Sequence, residues 1–136
     1  EPPRSYVLRN DGGTFTDVAA EAGPVEGDSL DAPGLLLTSW ASVWEDFDND
    51  GHEDLYVVNG LIPAASFIAN DARARNGLYL SNGDGTFTQQ FEGDHGADDQ
   101  GPGRGAAAYD ADRDGFLDMI MSNNGATGPR APTRRS

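Results

Sequence analysis

DFDNDGHEDLYVV, residues 46–58, sets carboxylates at Asp46, Asp48, Asp50 and Asp54 around Gly51 and then turns abruptly apolar. Like charges held this close repel one another, so the crowding costs folding free energy unless something positive sits among them. The chain repeats the device in DADRDGFLDMIM, residues 110–121, with Asp110, Asp112, Asp114 and Asp118 around Gly115. Counted from the first aspartate, positions 1, 3, 5 and 9 are acidic in both loops and position 6 is glycine. Alternate carboxylates on a tight loop converge on one point, and the glycine permits the sharp reversal. The carbonyl at position 7, on His52 or Phe116, adds one more oxygen. Such an all-oxygen cage suits Ca2+, which accepts about six to eight ligands with loose geometry. Mg2+ wants fewer protein ligands in strict octahedral order, and Zn2+ wants His or Cys.

Two readings compete with a calcium loop. One is a plain Asp- and Gly-rich turn, and the second matching loop argues against it. The other is the helical EF-hand, which opens with the same D-x-D-x-D-G but closes with an acidic residue at position 12. Here position 12 is Val57 in one loop and Met121 in the other, and β-prone segments replace the flanking helices. Position 9 must carry the closing carboxylate.

The loops sit inside a longer internal repeat. LRNDGGTFTDV (residues 8–18) resembles LSNGDGTFTQQ (residues 80–90), with Phe15 matching Phe87, while Asp46 matches Asp110 and the flanking segments agree. Each unit runs hairpin, variable loop, strand, acidic loop, strand. Tyr6 and Leu8, then a Gly-rich turn before Phe15, predict a β-hairpin, as do Leu78 and Leu80 before Phe87. Leu35–Trp44 and Gly105–Tyr109 read as strands entering the acidic loops. Leu55–Val58 and Leu117–Met121 leave them as apolar runs that suggest burial on both faces. Residues 1–62 then form a first repeat, 63–77 a connection with a short helix over Ala64–Arg75, 78–127 a second repeat and 128–136 a linker or tail.

Composition agrees with a β-rich module. The chain has 136 residues, 37% of them apolar, with 18 Gly and 8 Pro, a profile of short strands joined by turns. No window approaches a membrane span, and the start, at Glu1, has no signal-peptide pattern and reads as processed or cut from something longer. The formal charge is −14, and all 9 basic residues are Arg. That balance argues against nucleic acid and against anionic membranes, and it favours cations. With Cys absent, neither disulfides nor thiolate-metal sites help hold the fold.

The pairing of NDGGTFTDV with D-x-D-x-D-G-x-x-D-L resembles the FG-GAP/VCBS-type repeats of integrin α-like β-propellers, most closely those of extracellular proteins that also carry an ASPIC/UnbV domain. The resemblance covers roughly Tyr6 to Asn124. It implies an all-β fold of two propeller-type blades, each of four antiparallel strands with Ca2+ in an inter-strand loop. By motif match it implies Asp46, Asp48, Asp50, Asp54 and the His52 carbonyl as one metal site. Asp110, Asp112, Asp114, Asp118 and the Phe116 carbonyl make the other. Two blades cannot close a ring that typically takes about 4–8, so the expected object is an incomplete propeller or an assembling fragment.

The remaining motifs are bland. Glu92, Asp94, Asp98 and Asp99 around His95 read as a solvated acidic loop rather than another cation site. Gly101–Gly105 lacks the Lys-Ser/Thr of a phosphate-binding loop, and nucleophile and zinc-protease motifs are missing. Trp40 and Trp44 read as core or blade-contact residues. The sequence therefore predicts a non-catalytic, calcium-stabilised extracellular or cell-surface module for structure or adhesion. Its expected partners are calcium and a protein or glycan ligand or other copies of itself, without nucleic acid or membrane insertion. Alternatives are a self-assembling subunit of a fibre or ring, and the propeller part of a glycan-active enzyme.

Overall fold

The run that leaves the first acidic loop is the strand around which the molecule is built. In the computed structural model, which describes residues 6–23, 38–60, 75–90, 95–97 and 101–124, this strand is β4 (Asp54–Asn59). Its Leu-Tyr-Val-Val stretch suits a pleated, buried surface. β4 pairs with β3 (Ser39–Glu45) on one side and with β5 (Gly77–Ser81) on the other, and β5 pairs with β6 (Phe87–Gln90). The result is an antiparallel four-stranded sheet in the order β3-β4-β5-β6. Two further hairpins flank it. They are β1 (Leu8–Asn10) with β2 (Phe15–Asp17), and β7 (Gly103–Tyr109) with β8 (Asp118–Asn123).

Because side chains alternate across a strand, β4 serves two cores. Leu55 packs with Tyr79 and with Ala22 of the single-turn helix α1 (Ala19–Ala22), joined at the edge by Val7, Val57 and Phe87. Tyr56 and Val58 pack with Leu78 on the opposite face, against Ala106, Met119 and Met121 of the last hairpin. The central sheet is thus covered by the N-terminal segment on one face and by β7–β8 on the other. Burying Leu55, Tyr56 and Val58, each at most 4% exposed, is worth roughly 1.5–3 kcal/mol per side chain.

Close backbone approach fixes how the last hairpin docks. A Cβ on Gly103 would stand 2.5 Å from Val58 Cγ1 and 2.8 Å from the Asn59 carbonyl oxygen. Only glycine fits there. Beside it the buried Asn59 is fully occupied: its N–H donates to Asn76 Oδ1, its Nδ2 to the Arg75 carbonyl, and its Oδ1 accepts from Ser39 Oγ. Trp40 Nε1 donates to the Gly60 carbonyl at 2.7 Å, and the Arg104 guanidinium lies 4.2 Å from the centre of the Trp40 ring.

The all-β, antiparallel, incomplete-propeller architecture is as the sequence predicts, and the sheet shows how the repeat is cut. The complete sheet takes β3 and β4 from the first repeat and β5 and β6 from the second, so sequence repeat and sheet are out of phase by one hairpin. Burial on both faces holds for β4 but not for β8, where exposed and half-buried residues alternate, because among the described residues β8 has a neighbour on one face only. Trp40 and Trp44 are each 42% exposed, although Trp44 meets Phe87 edge-on at 5.8 Å. The helix α1 had no sequence signal beyond a short Ala-rich run. The helix expected over Ala64–Arg75 lies, but for Arg75, outside the described residues.

Candidate metal centre

Both acidic loops are hairpin connections. One joins β3 to β4 and the other β7 to β8, and each is shaped by its own carboxylates. In the first, Asp46 accepts from the Asp50 and Gly51 amides, Asp48 from the Asp50 amide, and Asp50 from the His52 amide. The second repeats this set: Asp110 accepts from the Asp114 and Gly115 amides, Asp112 from the Asp114 amide, and Asp114 from the Phe116 amide. Such side-chain to backbone bonds are what tight Asx-type turns are made of. Gly51 and Gly115 both sit at φ +92°, a region open to glycine at little cost. Position 4 is also left-handed, at φ 60° for Asn49 and 66° for Arg113.

The folding of each loop gathers oxygens. Carboxylate oxygens of Asp46, Asp48 and Asp50 lie within 4.8 Å of one another, as do those of Asp110, Asp112 and Asp118. Asp54 and Asp114, also predicted as ligands, fall outside these two groups. Asp54 is completely buried, with Oδ2 accepting from the Phe47 amide and Oδ1 from the Ser81 amide across the sheet. Its counterpart Asp118 accepts from the Ala111 amide but is exposed. The position-9 aspartate therefore ties the loop to its own second residue in both copies, and to the neighbouring strand in the first. Sequence spacing alone missed this second role. The signal was a charged residue opening the most buried strand.

The crowding shows at one carboxylate of the first loop. Loss of water around Asp48, followed by the charge on Asp50, holds the Asp48 carboxyl above the usual carboxylate range. Among the described residues no cationic side chain forms an ion pair with either loop; Arg9, for example, pairs with Asp11 at 2.8 Å. The loops also touch: Asn49 Nδ2 donates to the Gly115 carbonyl at 3.3 Å, so two acidic clusters lie side by side. The donor set fits a hard divalent cation. It is all oxygen and carboxylate-rich, with no thiol or imidazole gathered in, and each carboxylate oxygen keeps a lone pair beyond the amide it accepts.

Other predicted features are placed more plainly. His52 packs against the β5–β6 turn, where a Cβ on Gly83 would stand 2.7 Å from its Nε2. Phe116 is 63% exposed. Of the 92–99 acidic segment, residues 95–97 are described: His95 Nδ1 accepts from the Ala97 amide, and the Ala97 carbonyl accepts from the Tyr56 hydroxyl. Glu92, Asp94, Asp98 and Asp99 lie outside the described residues. No helix among the described residues is long and apolar enough to cross a membrane.

A family model described as FG-GAP-like repeat matches residues 46–121, from the first aspartate of one loop to the strand that leaves the other. Neither the comparison with curated proteins nor that with solved structures returns a match. With loops, hairpins and sheet in place, and more than half its length matched, the chain belongs to the FG-GAP-like repeat family.

Proposed function

We propose that the chain is a non-catalytic, calcium-binding structural module of an extracellular or cell-surface protein, serving architecture or adhesion. Repeats of this family are generally structural units of β-propeller-type modules. The observation that carries the reading is the duplicated loop: two carboxylate clusters built by the same amide bonds, side by side and, among the described residues, without a compensating cationic side chain. Asp46, Asp48 and Asp50 hold one ion, and Asp110, Asp112 and Asp118 the other. Asp54 and Asp114 lend remaining lone pairs, and the His52 and Phe116 carbonyls complete the shells. Calcium supplies charge neutralisation at the two loops and no chemistry. The chain's own residues do the rest: the amides aim the carboxylates, and Asp54 couples its loop to β5.

Because the unfolded chain does not gather these oxygens, calcium binding stabilises the folded state by linkage. At a free concentration of ~100 times Kd each site adds about 2.7 kcal/mol, a large part of a small domain's margin. Extracellular calcium modules bind at about 0.1–1 mM, which suits the proposed location. Thermal melts in calcium and in EGTA test this. Chelation is expected to lower Tm by ten degrees or more, about what two such sites imply, and an unchanged Tm with calcium fully removed would defeat the reading.

A further inference from the structure

The central sheet is covered unevenly. On its Leu55 face, Val7 and Ala22 pack beside Tyr79 and Phe87, but the half over β3 and β4 opens into a cleft of about 360 Å3. Tyr6, Trp40, Ser42 and Val57 help to line it. On the opposite face the same two strands carry the β7–β8 hairpin, through Ala106, Met119 and Met121. The molecule thus contains its own template for what covers a β3–β4 pair.

The β7–β8 hairpin has a second, outward face, where Ala107 and Ile120 are exposed, Ile120 to 62%. Ala107 pairs with Ile120 as Val43 pairs with Tyr56 in the central sheet. Val43 and Tyr56 lie in the cluster that receives the following hairpin. The edges are complementary as well. β8 ends a two-stranded sheet and β1 begins another, while their repeat counterparts β4 and β5 are hydrogen-bonded neighbours.

We propose that the cleft takes the β7–β8 hairpin of a second copy of this chain. Its β8 pairs with the chain at Tyr6 and Val7 that runs into β1, the counterparts of the Leu78 and Tyr79 that pair with β4. The pairing completes a four-stranded sheet, and the Ala107–Ile120 face fills the space over β3 and β4. One placement satisfies both the edge and the face that the described residues leave open, and it continues the stacking already present inside each copy. Tyr6, Leu8 and Trp40, at 66%, 54% and 42% exposed, offer on the order of 300 Å2 of side chain. The strand edge and cleft walls add to this, against the about 800 Å2 per partner of a stable interface. The contact is head-to-tail and propagates until a ring closes. Each copy brings strands for two blades, so closure at about 4–8 blades takes roughly two to four copies.

Sedimentation velocity of the whole chain in calcium, at high micromolar concentration, tests the proposal. The expected particle is a small multiple of 14.4 kDa. Ile120→Asp spoils the donated face and Tyr6→Asp the receiving one, both at exposed positions, with circular dichroism checking that each variant folds. Each alone should run as a single chain. Mixed, they should form a dimer and stop, because only one competent junction remains. Wild-type protein at single-chain mass would overturn the proposal and assign the cleft to a further repeat of a longer chain. Ile120→Asp without effect on the mass, or a mixture that stays monomeric, would overturn it equally.

Discussion

Asp54 and Asp118 occupy the same place in two copies of one loop, yet their surroundings give them different work. Asp54 is sealed under its loop and accepts two amides, so Asp54→Ala strands two donors at about 1–3 kcal/mol each. The expected loss is roughly 3 kcal/mol in chelator, with a further loss in calcium because the ion is deprived of one carboxylate. Asp118→Ala leaves an amide that water can reach, and should cost under ~1 kcal/mol in chelator and much more in calcium. Denaturant titrations of both variants in the two conditions check this; equal losses for the pair in chelator would refute the distinction. Asp48 shows the other side of the loop. Its folded-state pKa is raised, so its contribution favours folding below the unfolded pKa and is lost as pH rises through the folded value. At neutral pH without metal the Asp48 charge therefore opposes folding. Asp48→Asn is expected to raise Tm in EGTA at neutral pH and to lower it in calcium, and a shift of the same sign in both would contradict the proposed neutralisation.

At the scale of elements, the hairpins and acidic loops were legible because turn chemistry and carboxylate spacing are local. Asn10 Oδ1 accepting from the Gly13 amide, and Asp84 from the Thr86 amide, are written in NDGG and GDGT. The apolar run from Leu55 to Val58 likewise announced a strand buried on both faces. What stayed hidden depends on contacts distant in sequence. The phase of the sheet is decided by β4 choosing β5 as its neighbour, which no periodicity encodes, and the exposure of β8 follows from that choice. The convergence of Asp46, Asp48 and Asp50 was legible, whereas the Asp54 bond to Ser81 required the sheet. Gly103 belongs to the hidden class too. Gly103→Ala would drive a methyl into Val58 and the Asn59 carbonyl, overpacking worth about 1–3 kcal/mol. The damage is expected where β7–β8 leaves the sheet, with hydrogen exchange of β8 amides accelerating well beyond that of β6. Uniform acceleration of both strands would instead mean that the hairpin and sheet open as one unit.

At the scale of the whole molecule, the fold sets its acid against itself. Fourteen net negative charges include two clusters brought into contact by Asn49 and Gly115, and the apolar cores under β4 hold them there. Without a divalent ion that repulsion is a standing cost of the folded state, and mobile ions lessen it over a Debye length of ~10 Å at 0.1 M. With calcium bound the attraction between ion and loop is the larger quantity, and the same screening weakens it. Sodium chloride should therefore act in opposite senses on one protein: Tm rising with salt in EGTA, and falling or holding flat with salt at limiting calcium. Ile120→Asp is the protein to melt, since its exposed site leaves the cores intact and removes assembly from the measurement. Salt curves that rise in parallel in both conditions would mean that diffuse surface charge, rather than the paired loops, governs stability, and the duplicated clusters would lose their place as the centre of this fold's energetics.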